Sequence, residues 1–216
     1  MKLDLLRPFE AFPYFTMEGF KQSTGMENPE QVRMLLYRWA KAGHILPIKK
    51  GMYMSRRFFD LHSSEDGFSA AVSAMLQPQS YLSCEFILQR KGILTDVTYP
   101  VTAITTKNTG QIVNRMGTFW YRHIRLDLYR GFDISEYHGV RVARARLPKA
   151  LFDLLYLRPV PAVFRSPDIN LAEEFRLNIT EFSPAEQDEF EHYVKESGKH
   201  KMQQIHENFR RTVWRP

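Results

Sequence analysis

The stretch Asn28-Pro29-Glu30-Gln31 indicates the start of a helix more clearly than any other part of the chain. An Asn side chain accepts hydrogen bonds from the free amide groups at a helix N-terminus, and Pro is favoured at the first helical position because its missing N–H is not needed there. Apolar residues then recur at helical spacing as far as Gly43, which predicts one amphipathic helix. Its buried face is expected to carry Val32, Leu35, Leu36 and Trp39.

The residues on either side of this helix complete a familiar order of elements. Before it, residues 3–9 predict a short helix, and a second helix is expected to begin after Thr16 and to end at Gly25. After it, the pattern changes to two short strands around the turn Lys49-Lys50-Gly51. Three helices followed by a basic hairpin are typical of a winged helix-turn-helix, which we predict for residues 1–62.

The face opposite the buried one consists mainly of long side chains that donate hydrogen bonds. Arg and Gln pair with base edges in the major groove, and Lys and Arg contact phosphates. From Gln31 to Phe59 the chain contains no Asp or Glu, so no acidic residue inside this window weakens the attraction to phosphate. We therefore predict binding to double-stranded DNA. The predicted contacts are Gln31, Arg33, Met34, Tyr37, Arg38 and Lys41 from the helix, Lys49 and Lys50 from the hairpin tip, and Arg56 and Arg57 after it.

The overall charge agrees with a nucleic-acid partner but does not select one. The chain has 30 Lys and Arg against 24 Asp and Glu, a formal net charge of +6, and such a balance attracts polyanions in general. The alternative interpretation is a three-helix module whose basic face is merely solvated and which binds another protein.

Other functional classes lack their motifs. The 7 histidines include no His-Glu-x-x-His and no zinc-type spacing, and neither a phosphate-binding loop nor a Gly-x-Ser-x-Gly turn is present. The single cysteine, Cys84, stands at a predicted helix start and is interpreted as a packing residue. We therefore expect no catalytic residue, metal or cofactor, and a protein that is not an enzyme. With no signal peptide and no apolar run of about 18 residues, we also expect a cytoplasmic protein without a membrane partner.

Residues 63–216 predict a second, α+β domain with a helical tail. Helices are expected at residues 68–77, at residues 83–90 and after Pro148, and the tail from Leu171 onward is expected to be mostly helical, with Ser183-Pro184 as a start signal. Strands are expected at residues 97–106, 112–113, 118–124 and 140–143.

Four stretches of this second part carry a resemblance to a known family. They are Tyr81 to Leu94, Thr102 to Thr106, Gly117 to Ile124 and Arg144 to Leu157, the last reading Arg-Ala-Arg-Leu-Pro-Lys-Ala-Leu-Phe-Asp-Leu-Leu-Tyr-Leu. Together they resemble the AbiEi family, the antitoxins of abortive-infection type IV toxin–antitoxin systems. The resemblance covers most of residues 10–158, with Leu147 as a departure, and residues beyond Pro159 match no pattern of that family.

The resemblance implies an N-terminal winged helix that represses its own operon by binding inverted repeats. It also implies a C-terminal domain that neutralises a nucleotidyltransferase-like toxin. Two alternatives remain open: a transcription factor without a toxin partner, and a nucleic-acid-processing enzyme that uses the second domain. Within the last motif, Lys149 and Asp153 are expected to form an ordinary i,i+4 pair worth a few tenths of a kcal/mol, with no ligand role.

Overall fold

The computed structural model describes residues 3–95, 100–159 and 169–214 and is α+β, as predicted. The helices are α1 (Met17–Thr24), α2 (Pro29–Lys41), α3 (Arg56–His62), α4 (Phe68–Leu76), α5 (Glu85–Arg90), α6 (Leu147–Leu157), α7 (Leu171–Glu174), α8 (Pro184–Ser197) and α9 (His200–Thr212). The strands are β1 (Phe15–Thr16), β2 (Ile45–Lys49), β3 (Met52–Ser55), β4 (Ser80–Leu82), β5 (Val101–Thr105), β6 (Gly110–Asn114), β7 (Gly117–His123), β8 (Phe132–Tyr137) and β9 (Val140–Ala145). Short 3₁₀ helices span Leu3–Phe9 and Leu126–Leu128.

Local capping signals set the bounds of α1 and α2. The hydroxyl of Thr16 accepts a hydrogen bond from the amide of Gly19 at 3.0 Å, and Gly25 ends α1 in the left-handed conformation that glycine adopts without strain. The side chain of Asn28 accepts from the amides of Glu30 and Gln31, which fixes the start of α2. Both predicted helix starts are confirmed.

Aromatic residues join the first helices to a small sheet of order β1-β3-β2. The rings of Phe9 and Phe15 lie 4.9 Å apart, and Trp39 meets Phe20 edge to face at 5.5 Å. Trp39 is fully buried together with Val32 and Leu36, while Leu35 is half-buried. The predicted inner face of α2 is therefore confirmed.

Helix α3 follows the hairpin directly and was not predicted. It begins where the hydroxyl of Ser55 accepts a hydrogen bond from the amide of Phe58, so Arg56 and Arg57 occupy its first turn. Phe59 then meets Phe68 of α4 edge to face at 5.7 Å.

The chain divides into two compact units whose limits differ from the predicted boundary at residues 62 and 63. The first contains Met1–Pro78, Val113–Gly117 and Ser135–Val142, and the second contains Gln79–Ile112, Thr118–Ile134 and Ala143–Pro216. Helix α4 belongs to the first unit because its apolar residues pack there, beside α3. The first unit is thus assembled from three separate parts of the chain. A single boundary in the sequence cannot describe such a unit.

A six-stranded mixed sheet has the order β6-β7-β5-β4-β9-β8. Strand β5 runs parallel to β7 and antiparallel to β4, and β4 runs parallel to β9. The predicted strands at 112–113 and 140–143 are present as parts of β6 and β9. The strand predicted at 118–124 is present in β7, which ends one residue earlier, at His123. Of the predicted strand at 97–106, residues 101–105 form β5 and residues 97–99 lie outside the described part. Strands β4 and β8 were not predicted.

Lys149 and Asp153 of α6 form an ion pair inside the second unit. Both side chains are fully buried, and the Asp153 carboxylate also accepts hydrogen bonds from the hydroxyls of Tyr81 at 3.0 Å and Ser83 at 2.7 Å. Burial raises the pKa of Asp153 although Lys149 pulls it down. The i,i+4 pairing was predicted correctly. Its complete burial was not predicted, and it arises because α6 turns this face into the core.

The helical tail packs around aromatic residues of the second unit. A capping box between Ser183 and Glu186 starts α8, as the Ser-Pro signal predicted. The ring of Trp214 lies 5.2 Å from that of Phe209 and 5.5 Å from that of Phe190. Among the described residues, no helix combines the length and the apolar character needed to cross a bilayer.

Candidate nucleic-acid interface

The outer face of α2 is exposed along its whole length. Met34 and Tyr37 are 50% and 61% exposed, although both are large apolar side chains. Their exposure follows from the helical period, because the opposite face is occupied by the buried core residues of α2. The predicted contact residues Gln31, Arg33, Arg38 and Lys41 are exposed on the same helix.

Three of the predicted basic contacts lie beside carboxylates. The guanidinium of Arg33 is 2.6 Å from Glu30, and that of Arg56 is 2.7 Å from Asp60. Arg57 lies 3.6 Å from Glu10, which comes from the start of the chain.

Residues 31–59 thus contain no acidic residue in the sequence, but in the folded protein carboxylates lie beside three of their arginines. Glu30 stands one residue before this window and Asp60 one residue after it, and each reaches back to an arginine inside. The hydrogen bond to Asp60 also raises the pKa of Arg56. These arginines would have to exchange a carboxylate for a phosphate in order to bind DNA.

Lys49 does not project from the hairpin tip. Its ammonium group donates hydrogen bonds to the main-chain oxygens of Met75 at 2.6 Å and Leu76 at 3.2 Å, at the C-terminal end of α4. A cation there satisfies carbonyl groups that the helix leaves free. Lys49 was predicted as a phosphate contact, and its position makes it a structural residue of the first unit.

Three basic residues of the predicted set remain. Arg38 and Lys41 lie on α2 and Lys50 lies in the β2–β3 turn, and all three are exposed. Within the described part of the chain, none of these three has an ion-pair partner. The turn that carries Lys50 continues to Gly51, whose φ of 74° is strained for any other residue type.

The backbone at Cys84 forms a sharp strand-to-helix turn, but its thiol is in a buried environment that disfavours the reactive thiolate. It connects β4 to α5 with a φ of 53° and a ψ of −135°, the kind of strand-to-helix turn that carries nucleophiles in some hydrolases. However, its side chain is fully buried, and this burial raises the pKa of the thiol well above its ordinary value. This supports the interpretation of Cys84 as a packing residue.

Sequence reasoning overlooked one cluster because His138 is far from His62 and Glu65 along the chain. His62 ends α3, Glu65 follows in the next loop, and His138 lies in the turn between β8 and β9, all within the first unit. His62 contacts Glu65 through Nδ1 at 2.6 Å, and His138 contacts the same carboxylate through Nε2 at 3.5 Å. The only local signal was the spacing of His62 and Glu65, which fits many surface pairs.

Comparison with protein-family models and with curated proteins finds no match to this chain.

Proposed function

We propose that the first unit is a winged helix-turn-helix that binds double-stranded DNA and that the protein regulates transcription. The observation that carries this proposal is the exposed face of α2, where Tyr37, Arg38 and Lys41 stand opposite a fully buried core face. A helix in this setting is free to enter a major groove without losing any of its packing.

The order of elements supports assigning α2 as the recognition helix. Helix α1 ends at Gly25, a short turn leads to Asn28, and α2 begins there. Strand β1 pairs with β3, and β3 pairs with β2, so the hairpin is anchored to the same small sheet. The β2–β3 hairpin would then be the wing, with Lys50 in its turn.

The residue types on α2 suit a mixture of base and phosphate contacts. Gln31 and Arg38 have side chains that pair with the edges of adenine and guanine, and Met34 can contact the methyl group of thymine. Lys41 and Lys50 are point charges suited to phosphate. Arg33, Arg56 and Arg57 are weaker candidates because a carboxylate already lies beside each one.

Selection from a pool of random DNA duplexes tests the proposal. The full-length protein, at low salt, should enrich one family of sequences and should bind them more tightly than the matching single strands. Binding no tighter than roughly micromolar at low salt, or enrichment of no sequence, would show that the exposed face serves another partner.

The antitoxin role is a narrower proposal that rests on the AbiEi resemblance. One observation favours it: Tyr81 and Ser83 from one resembling stretch meet Lys149 and Asp153 from another in a single buried network. Two stretches that carry the resemblance thus contribute to one buried network.

Growth rescue separates this role from a transcription factor without a toxin partner. We expect the full-length protein to restore growth of cells that express a nucleotidyltransferase-like toxin encoded beside it. A wild-type protein that binds its selected duplex but fails to restore growth would leave the DNA-binding proposal standing and would remove the antitoxin role.

A further inference from the structure

The cluster of His62, Glu65 and His138, named the His-Glu-His cluster below, brings three metal-binding side chains to one place. One ligand atom from each residue lies within 4.8 Å of the other two. Among the residues that the structure describes, this is the one group of three His, Cys, Asp or Glu side chains with such spacing. The cluster belongs to the first unit, and none of its three residues lies on α2 or is a predicted DNA contact.

One separation within the cluster already matches that of a tetrahedral zinc site, and the three ligand atoms lie within 4.8 Å of one another. Zinc bonds of about 2.0–2.2 Å to nitrogen and oxygen place neighbouring ligand atoms about 3.4 Å apart. The His138 Nε2 atom is already 3.5 Å from Oε2 of Glu65, and His62 Nδ1 is 2.6 Å from Oε1. Opening the shorter separation by less than about 1 Å, through rotation of the Glu65 side chain, would admit an ion.

Both imidazole rings pack against the ring of Phe58. The buried ring of Phe58 lies 4.3 Å from the ring of His62 and 5.4 Å from that of His138. The two imidazoles are 4.5 Å apart, measured between centroids. Because both rings already contact Phe58 and each other, a bound metal would have less ordering of the side chains to impose.

The carboxylate of Glu65 is also oriented by a neighbour. Tyr137 donates a hydrogen bond from its hydroxyl to Oε2 of Glu65 at 2.6 Å. The Tyr137 ring lies against Gly67, where an added Cβ atom would come within 2.5 Å of it. Such partners behind the ligands raise metal affinity because they fix the ligand geometry.

From these contacts we propose that the His-Glu-His cluster binds one divalent transition-metal ion, with zinc as the best fit. Two imidazoles and one carboxylate match zinc and its neighbours, whereas magnesium and calcium prefer shells made of oxygen alone. All three side chains are partly exposed, so an ion can enter from solvent and keep water at its fourth position. The bound ion would link α3 to the turn between β8 and β9, two segments of the first unit that are distant in sequence.

Calorimetric titration of the full-length protein, freed of metal with a chelator, tests the proposal. We expect one zinc ion per chain and no comparable heat with magnesium. Either His62→Gln or His138→Asn should weaken zinc binding at least about tenfold. Asn is chosen at position 138 because it tolerates the φ of 45° found there. Glu65→Gln, which keeps the shape of the side chain, provides a third variant should a histidine variant not fold.

The chain offers a matched control. His192 lies 3.3 Å from Glu196 on the surface of α8, and among the described residues no third ligand completes this pair. His192→Gln should leave the zinc affinity unchanged. Absence of zinc binding in the folded wild-type protein, or equal affinity in the wild type and the folded cluster variants, would overturn the proposal and leave the cluster as a set of hydrogen bonds.

Discussion

The ammonium group of Lys49 lies 2.6 Å from the main-chain oxygen of Met75, so a lysine of the β2–β3 hairpin closes the C-terminal end of helix α4. Its neighbour Lys50 is exposed in the turn. Adjacent lysines with the same chemistry therefore have different roles: one holds the first unit together, and the other is available to a partner.

Replacing these two lysines separately should distinguish the roles. Lys49→Ala removes hydrogen bonds from a charged donor and should lower the free energy of unfolding by roughly 1–2 kcal/mol. Lys50→Ala should leave it within about 0.5 kcal/mol and should weaken DNA binding for all sequences alike. Urea unfolding and fluorescence anisotropy measure the two effects, and equal losses of stability in both variants would contradict the assignment.

On α2, Arg38 and Arg33 form a matched pair for testing sequence readout. Arg38→Ala should cost roughly 1–3 kcal/mol on the preferred duplex and much less on unrelated duplexes, because a base contact is lost. Arg33→Ala should cost less on the preferred duplex, since Glu30 already lies 2.6 Å from this guanidinium. Both affinities are measured by fluorescence anisotropy at one salt concentration. A larger loss of affinity in Arg33→Ala than in Arg38→Ala would mean that Arg33 makes the base contact.

The buried pair of Lys149 and Asp153 should matter far more for stability than a surface pair of the same spacing. Lys149→Met leaves the Asp153 carboxylate without its cation in the core and should cost about 3–5 kcal/mol in urea unfolding. Lys195→Met is the control, because Lys195 and Glu191 are also four residues apart and 3.0 Å from each other, but at the surface. We expect it to cost about 0.5 kcal/mol or less. Similar losses of unfolding free energy in the two variants would contradict a special contribution of the buried pair to stability.

His206 should make the protein less stable in mild acid. Burial in α9 lowers the pKa of His206 from its ordinary value of 6.5, so the folded protein takes up this proton less readily than the unfolded chain. Stability is then complete above pH 6.5 and declines as the pH falls toward the lowered pKa of the folded state.

The variant His206→Gln should therefore flatten the dependence of the unfolding free energy on pH below pH 6.5. His200→Gln provides the control, because His200 is exposed at the start of the same helix. An unchanged slope in His206→Gln would assign the acid sensitivity to another group.

Local signals were enough for the first helices. The side chains of Thr16 and Asn28 accept from amide groups within three residues of themselves, and Gly25 ends α1 by its own left-handed conformation. Capping rules therefore place α1 and α2 within a residue or two. Strand β8 gave no such signal, because its residues 133–136 are all exposed and lack the alternation of a half-buried strand. It exists because it pairs with β9, and that pairing depends on the turn at His138.

The sequence was enough to predict which face of α2 is exposed, but not which of the basic residues have partners within the protein. The face of α2 follows from helical periodicity and could be read from the sequence. The neighbours of Arg57 and Lys49 could not, because Glu10 and Met75 reach them only through tertiary packing. The His-Glu-His cluster was hidden for the same reason.

The dependence of DNA affinity on salt tests the central claim most directly. Lys41→Ala combined with Lys50→Ala should reduce the slope of log affinity against log salt by about 1.8, since each phosphate contact contributes about 0.9. Lys91→Ala combined with Lys107→Ala, which alters two exposed lysines of the second unit, should leave the slope unchanged. A wild-type affinity that does not fall with salt, or a slope that is the same in all three proteins, would contradict DNA binding through α2 and the hairpin.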